Sequence, residues 1–406
     1  MPAGSSTPRP RVYDAMLADH FARNRQMAFV SGPRQVGKTT LCEGLIEPGR
    51  LLNWDNVDDR RTILAGPASI ARAASLDQLR DQPVTVGFDE LHKFPRWKSF
   101  LKGFYDTHGK RCRVVVTGSS RLDVFRRGGD SLMGRYFLYH MHPFSAGEVA
   151  RTELPETLIR PAVRVKDAEW DALWTHGGYP EPFLKRDRRF SLRWRESRFQ
   201  QLVREEIREL GGVQSLGQLE AAAHWLAEHS GATLVYSSLA NDVHVAVDTA
   251  RRWVDTLGFL HFGFLVRPWF KNVAKSLRKE PKWYLRDWSG LAEPGARAET
   301  FVACHLLKTV DAWNDLGLGR FELRYLRDKQ QREVDFVVIR DGKPWFLAEV
   351  KHAERQLSPA LAYFHEQLGT AHAFQVVLEM DCVNADAFNG ARPIAVPART
   401  FLSQLV

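Results

Sequence analysis

The chain has 406 residues, which is longer than one hydrophobic core usually supports, so we expect two or three domains. Hydrophobic residues make up 44% and charged residues 26%, and no apolar run approaches the length that spans a bilayer, which argues against a membrane segment. The formal net charge of +9 suits a protein that meets polyanions such as nucleic acid, although many basic proteins never bind DNA.

The N-terminal ten residues lack the apolar core that a secretory signal requires. The four cysteines are scattered without a C-x-x-C pair, so they fit neither a disulfide framework nor a zinc site. We therefore expect reduced thiols and a cytoplasmic protein that has no membrane partner.

A glycine-rich segment lies between a strand-like run at 26–31 and a helix-like run at 41–46, and it reads G-x-x-x-x-G-K-T from Gly32 to Thr39. Such a loop turns its backbone N–H groups and the helix N-terminus toward phosphates, Lys38 neutralises phosphate charge, and Thr39 ligates magnesium. We predict an ATP site with Lys38 also in a catalytic role. Its loop residues are Gly32, Pro33, Arg34, Gln35, Val36, Gly37, Lys38, Thr39 and Thr40.

A second apolar strand, at 83–89, ends in the two carboxylates of Asp89 and Glu90. Asp89 at the strand tip is predicted to hold Mg²⁺ together with Thr39, directly or through water. Glu90 is predicted to act as general base or to orient the attacking water. The expected cofactors are ATP and Mg²⁺.

The next strand, at 111–120, has a polar end at which Ser119 or Ser120 could contact the γ-phosphate or the attacking water, and we include Ser119 in the predicted ATP site. Arg135 follows a glycine, and we predict that it stabilises transition-state charge in a neighbouring subunit's site. Arg121 is a rival for this role, and a plain surface arginine is the third reading. An arginine acting in trans requires a dimer or a ring, so we predict a homo-oligomer, specifically a hexameric ring.

Residues 156–230 have helical spacing and few breakers, which predicts lid helices. The patterns at 236–243 and 247–257 give two helices around a tight connection, as in a helix-turn-helix. Alternating apolar residues at 259–266 and 282–286 predict the two strands of a wing.

Basic residues interleaved with aromatic ones mark the second helix and the wing, and such clusters suit phosphate contacts. The alternative is a spacer with a solvated basic face. The predicted DNA-binding residues are Arg251, Arg252, Lys271, Lys275 and Lys279, and the same cluster includes Arg278 and Lys282.

Near the C-terminus, a strand carrying Asp335 is followed by a turn and a strand carrying Glu349 and Lys351, which is the order Asp, then Glu-x-Lys, of restriction endonucleases. The strand period of two places Glu349 and Lys351 on one face, and the hairpin brings Asp335 alongside. Mg²⁺ between the carboxylates and a water-orienting Lys351 would make a nuclease-like site. Alternatively, these charges simply terminate buried strands.

The chain resembles the large prokaryotic family of AAA+ ATPases that have a C-terminal domain like restriction endonucleases. The motifs that carry the resemblance are Gly-Pro-Arg-Gln-Val-Gly-Lys-Thr-Thr-Leu at 32–41, Phe-Asp-Glu-Leu-His-Lys at 88–93, Val-Thr-Gly-Ser-Ser at 116–120 and Gly-Arg-Tyr at 134–136, followed by shorter ones at 143–145, 177–181 and 236–240. The resemblance implies DNA as a partner, and it places Glu299, on the helix that starts near 295, as an additional acid supporting the nuclease-like metal.

The expected fold class is α/β, with a P-loop AAA+ ATPase core at 1–155, a helical lid at 156–230, a winged helix at 231–290 and a restriction-endonuclease-like α/β domain at 291–406. The expected function is an ATPase that engages or remodels duplex or branched DNA, such as four-way (Holliday) junctions. One alternative is an ATP-gated nuclease acting in defence against foreign DNA. Another is a nucleotide-dependent switch that binds a protein partner.

Overall fold

The computed structural model describes residues 9–78, 80–118, 132–203, 207, 215–270 and 279–406. The chain divides into two compact units: the first is Met1–His142 with Thr152–Leu154, and the second is Pro143–Arg151 with Pro155–Val406. Among the helices in those ranges, none is both long enough and apolar enough to cross a membrane.

The first unit alternates strands and helices. Its strands are β1 Met27–Ser31, β2 Leu51–Asn53, β3 Val84–Asp89, β4 Cys112–Gly118 and β5 Tyr136–His140. Its helices are α1 Val12–Arg23, α2 Lys38–Leu45, α3 Val57–Leu64, α4 Pro67–Ala73 and α5 Trp97–His108.

The five strands form one parallel sheet in the order β2-β3-β4-β1-β5. All residues of β1 and nearly all of β3 and β4 are buried, as expected for parallel strands that are covered on both faces. From β1 the chain builds β2, β3 and β4 on one side of β1, and it then crosses to form β5 on the other side of β1. The carboxyl end of β1 is therefore a topological switch point, where parallel α/β sheets bind ligands.

The second unit begins with helices and ends in a mixed sheet. Its helices are α6 Ala146–Ala150, α7 Asp167–His176, α8 Pro180–Lys185, α9 Arg188–Gln201, α10 Leu216–Glu228, α11 Tyr236–Asp242, α12 Val247–Phe259, α13 Pro294–Asp315, α14 Pro359–Leu368 and α15 Ala398–Ser403. Its strands are β6 Gly263–Pro268, β7 Lys282–Leu285, β8 Phe321–Arg327, β9 Glu333–Arg340, β10 Lys343–Lys351, β11 His372–Val377 and β12 Ile394–Pro397.

These seven strands form one sheet in the order β12-β11-β10-β9-β8-β6-β7. The β6–β7, β8–β9 and β9–β10 pairs are antiparallel, whereas β6–β8, β10–β11 and β11–β12 are parallel. The strands that the sequence assigns to a wing thus continue the C-terminal sheet through the β6–β8 pair. The predicted strand from 259 begins only at Gly263, because α12 runs on to Phe259.

Helix α13 packs on β8 and β10 and is buried along most of its length. It carries a buried cation, Lys308, which contacts Glu148 of α6 and donates a hydrogen bond to the carbonyl oxygen of Pro143 at 3.0 Å. Both charged side chains are almost completely shielded from solvent, and their contact compensates the two buried charges. This pair fixes the segment 143–151 to the second unit.

Candidate functional site

The loop between β1 and α2 is shaped by two glycines. Gly37 has φ = 100° at the N-terminal end of α2, a conformation that disfavours a residue with Cβ. A Cβ on Gly32 would lie 2.2 Å from the carbonyl oxygen of Met141, so only glycine fits there. Lys38 is 6% exposed, and its Nζ donates to the carbonyl oxygens of Gly32 at 2.9 Å and Pro33 at 2.7 Å. The loop therefore curls around the Lys38 ammonium.

Arg11 also shapes this loop, and nothing in the sequence patterns indicates it. It immediately precedes α1 and is buried. Its guanidinium donates to the carbonyl oxygen of Val36, within the loop, at 2.9 Å, and to that of His142 at 2.7 Å. The residue that precedes α1 thus restrains the backbone of the phosphate loop through these hydrogen bonds.

Three predicted residues meet beside the loop at the carboxyl end of β3. The Thr39 hydroxyl donates to Oδ2 of Asp89 at 2.7 Å, and the Thr117 hydroxyl, from β4, donates to Oδ1 of the same carboxylate at 2.5 Å. The backbone N–H of Glu90 also donates to Oδ1, at 3.0 Å. Asp89 is 2% exposed, so this hydrogen bonding fixes its orientation. A hydroxyl and a carboxylate in contact are the hard oxygen donors that Mg²⁺ prefers, and the residues fit that ion.

Glu90 occupies a strained backbone conformation, with φ = 53°. Its carboxylate lies 3.3 Å from Nζ of Lys93 and 3.8 Å from Nε2 of His92, and Lys93 also bonds Asp55 at 2.6 Å. Burial lowers the pKa of Lys93, but the hydrogen bond to Asp55 and the charge of Glu90 outweigh burial and raise it above its ordinary value. A persistent ammonium therefore faces the predicted general base.

Arg135 lies away from the phosphate loop of its own chain. Its carbonyl oxygen accepts from the N–H of Met27 at 2.8 Å, which puts it at the start of β1, about 16 Å of strand from the loop. Its guanidinium makes two hydrogen bonds to Asp106 of α5, at 2.8 and 3.1 Å. Its proposed role in a neighbouring subunit stays a prediction. Ser119 and the rival Arg121 lie outside the described residues.

In the second unit the structure brings together all four residues predicted for the nuclease-like site. Asp335 lies on β9, Glu349 and Lys351 lie on β10, and Glu299 lies on α13. Lys351 Nζ donates to Oε1 of Glu349 at 2.9 Å, and the backbone N–H of Asp335 lies 3.4 Å from Oε2 of the same carboxylate. The roles of these residues in a nuclease-like site stay predictions.

The centre of this cluster is a lysine that the sequence reading placed elsewhere. Lys282, expected on an exposed basic wing, is only 3% exposed, because all of β7 is buried. Its Nζ lies 2.9 Å from Glu299, 2.7 Å from Glu333 and 3.2 Å from Asp335. The Tyr284 hydroxyl, on the same strand, donates to Glu299 at 2.6 Å. Lys282 is therefore part of the acidic cluster and does not belong to a DNA-contacting surface.

Burial and crowding shift the protonation of this cluster. Burial, with the negative charge of Asp335, raises the pKa of Glu299 to about 7 and that of Glu349 to about 7. Burial opposes the charge on Lys282, but the surrounding acidic groups keep its pKa well above the ordinary value. The cluster therefore holds a permanent internal cation next to carboxyl groups that resist ionisation.

These residues do not fit a divalent metal. Asp335 Oδ1 bonds Lys282, and its Oδ2 accepts from the backbone N–H of Val350 at 2.9 Å. Both oxygens of Glu349 likewise have protein donors. Across the described ranges, no group of three or more His, Cys, Asp or Glu side chains is arranged to hold a metal ion.

Of the residues predicted to contact DNA, three lie in described segments and all three are exposed. Arg251 and Arg252 lie on α12, with the Arg251 guanidinium 4.4 Å above the Tyr236 ring, and Lys279 precedes β7. Lys271 and Lys275 fall outside the described residues, as does Arg278. Contact with DNA stays a prediction.

A family model described as an AAA domain matches residues 24–150, the segment that contains the phosphate loop, Asp89 and Arg135. The chain carries an AAA domain. Two further models, each described as a domain of unknown function (DUF8612 and DUF4143), match residues 167–293 and 294–397. The boundary between them coincides with the start of α13 at Pro294.

Two mycobacterial proteins are similar to most of the chain. The uncharacterized proteins Rv2008c of Mycobacterium tuberculosis and Mb2031c of Mycobacterium bovis are each 26% identical to it over 329 residues, covering 79% of this chain and 69% of the relative. The similarity therefore extends well beyond the AAA domain.

Two solved structures are more distant. The Orc1 protein of Aeropyrum pernix in complex with DNA shares 12% identity and a TM-score of 0.32, covering 75% of this chain and 95% of that one. A signal transduction ATPase with numerous domains and a tetratricopeptide repeat sensor, from Pyrococcus horikoshii, shares 11% identity and a TM-score of 0.24, covering 77% and 48%. Scores this low do not establish a common overall arrangement.

Three residues that contact the predicted ATP site were not identified from the sequence: Thr117, Arg11 and Lys93. Thr117 immediately precedes the Gly-Ser-Ser motif, and a hydroxyl at the end of the strand next to β3 was an available signal, because neighbouring parallel strands end at the same edge. Lys93 follows Glu90 by three residues within the quoted motif. For Arg11 no local signal exists, since its partners are backbone carbonyls distant in sequence.

Proposed function

We propose that the protein is a magnesium-dependent ATPase whose nucleotide cycle acts on DNA bound through its second unit. The observation that carries the first half is the hydrogen-bonded set of Thr39, Asp89 and Thr117 at the end of β3, with Glu90 as the next residue. This set supports a metal–nucleotide site because it joins a hydroxyl from the phosphate-loop helix to a carboxylate of the neighbouring strand.

Some residues of the site bind the nucleotide and the metal, and another acts in hydrolysis. The loop N–H groups and Lys38 bind the phosphates, and Thr39 with Asp89 holds the Mg²⁺, which supplies charge neutralisation on the phosphate oxygens. Glu90 accepts a proton from the attacking water or orients it. Lys93 Nζ lies 3.3 Å from the Glu90 carboxylate and so competes with water for that base. A partner that draws Lys93 away would leave the Glu90 carboxylate more available to accept the proton.

The test is ATP hydrolysis by the full chain alone and with single-stranded, duplex and four-way-junction DNA. Lys38→Ala is the blank, Glu90→Gln should bind ATP without turnover, and Glu43→Gln, an exposed acid on α2, is the matched control that should behave as wild type. Stimulation by one DNA form, absent in the blank, supports the proposal. Absence of magnesium-dependent hydrolysis in the wild-type chain would refute it.

DNA binding rests on separate observations. Helices α11 and α12 pack together and present Arg251 and Arg252 to solvent, in a protein with a formal net charge of +9. Phosphate contacts release counterions, so affinity for duplex DNA should fall steeply with salt and should weaken in Arg251→Ala with Arg252→Ala. Hydrolysis that no DNA changes, together with no DNA binding at low salt, would favour the nucleotide-dependent switch that binds a protein partner.

Assembly into a ring is the remaining part of the proposal. It is motivated by Arg135, which lies too far along the sheet from its own phosphate loop to act there. Analytical ultracentrifugation with ATP should detect an oligomer, and a monomer at every concentration would eliminate this role for Arg135.

A further inference from the structure

The acidic cluster of the second unit already contains a cation. Lys282 enters from β7, and its Nζ is within 3.2 Å of carboxylates on α13 and β9, the two elements that the nuclease-like arrangement needs. The side chain is 4% exposed, so water screens these ion pairs only weakly. The three acids that surround it are Glu299, Glu333 and Asp335.

A divalent ion would compete for the same oxygens. Lys282 binds both Glu299 and Asp335, so a metal shared by those carboxylates would lie beside the ammonium and would be repelled by it. The second lysine of the cluster, Lys351, holds Glu349 in the same way, at 2.9 Å. Each of the three carboxylates that the sequence assigned to the nuclease-like site is therefore already paired with a lysine.

We propose that Lys282 is the resident cation of this centre, and that the nuclease-like fold is held together by an ammonium ion in the place where a divalent metal is expected. The lysine links β7, α13 and β9 electrostatically, with Tyr284 supporting Glu299. The centre then binds no Mg²⁺ and performs no metal-dependent DNA hydrolysis. This inference concerns the second unit alone and does not depend on the proposed ATPase activity.

The test is binding of Mn²⁺ to the nucleotide-free full chain, followed by electron paramagnetic resonance. Asp89→Asn serves as the parent, because it removes the carboxylate of the first unit that would otherwise bind Mn²⁺. The parent should bind no Mn²⁺ that depends on Asp335. Adding Lys282→Gln should create one such site, with an affinity for Mn²⁺ at least about a hundredfold above any that the parent shows, since the repelling charge is gone while a polar group remains.

Two further variants make the result specific. Adding Glu299→Gln to the Lys282→Gln protein should remove the new site, and Lys343→Gln, at the exposed start of β10, should create none. Mn²⁺ binding by the parent that Asp335→Asn abolishes would overturn the proposal. A folded Lys282→Gln protein that gains no site would also overturn it, because the lysine would then not be what excludes the metal.

The proposal stays testable if Lys282→Gln does not fold. In that case the test compares Mn²⁺ binding by the parent with Mn²⁺ binding by its Asp335→Asn derivative, because both proteins retain Lys282. Binding that only the parent shows would overturn the proposal. Magnesium-dependent cleavage of plasmid DNA by the wild-type chain is a second readout. Cleavage that disappears in Asp335→Asn would contradict an ammonium-based centre, and no such cleavage is expected.

Discussion

Replacing Thr117 by valine removes one hydroxyl from the interior of the AAA domain and changes side-chain volume little. The hydroxyl donates to Oδ1 of Asp89 at 2.5 Å, and Thr117 is completely buried. Asp89 would keep its hydrogen bonds from Thr39 and from the backbone of Glu90. The substitution therefore loosens the metal-binding carboxylate without deleting it.

The size of the effect follows from the kind of hydrogen bond that is lost. A hydrogen bond to a charged acceptor contributes about 1.5–3 kcal/mol to stability, and the buried acceptor cannot recover it from water. We expect the unfolding free energy of the first unit to fall by that amount. Groups that orient a metal ligand typically contribute 10- to 100-fold to metal affinity, so half-maximal hydrolysis should need roughly tenfold or more Mg²⁺.

The assay is Mg²⁺-dependent ATP hydrolysis together with thermal unfolding of the full chain, in which the transition that ATP raises reports the first unit. Thr85→Val, on the adjacent strand β3, is the matched control. Thr85 lies near the opposite end of β3 from Asp89, where it pairs with Arg113, so neither quantity should change. A Thr117→Val protein with wild-type stability and an unchanged Mg²⁺ requirement would refute the assignment of Asp89 as an oriented metal ligand.

Three further outcomes are expected. Lys308→Met should destabilise the second unit by about 3–5 kcal/mol, because it removes the cation from a buried ion pair with the Glu148 carboxylate, and adding Glu148→Gln should recover part of that loss. Arg135→Ala should lower hydrolysis by the assembled oligomer, whereas Asp106→Asn, which breaks the same exposed ion pair, should not. Burial and the charge of Asp335 raise the pKa of Glu349 to about 7. Its protonated carboxyl therefore stabilises the fold fully below about pH 4.5, and this contribution is lost as pH rises through 7. Glu349→Gln should flatten the decline of the second unit's stability over this pH range.

Each of these outcomes can fail in a distinct way. Equal stability of Lys308→Met and wild type in chemical denaturation would show that the buried pair contributes nothing. Equal loss of hydrolysis in the Arg135 and Asp106 variants would assign the effect to their ion pair. A melting temperature of the second unit that declines equally with pH in wild type and the Glu349 variant would locate the titration in other groups.

Local sequence patterns were sufficient for the phosphate loop and for the order of the elements around it. The G-x-x-x-x-G-K-T segment fixes a strand, a loop and a helix because each residue type has a backbone or charge requirement within a few positions. The same holds for the β9–β10 hairpin, where strand periodicity and a short turn bring Asp335 next to Glu349 and Lys351. Both groups are local in sequence or joined by a single turn.

What sequence alone could not determine depends on contacts between distant segments. Lys282 looked like one more cation of an exposed wing, and only the β6–β8 pairing, which makes β7 part of the larger sheet, buries it among acids. The pairing of Lys93 with Asp55, and of Arg135 with Asp106, likewise follows from tertiary packing. A local pattern fixes which residues are available for chemistry, but the charge that each one faces is set by chain segments tens or hundreds of residues away, whose position no periodicity encodes.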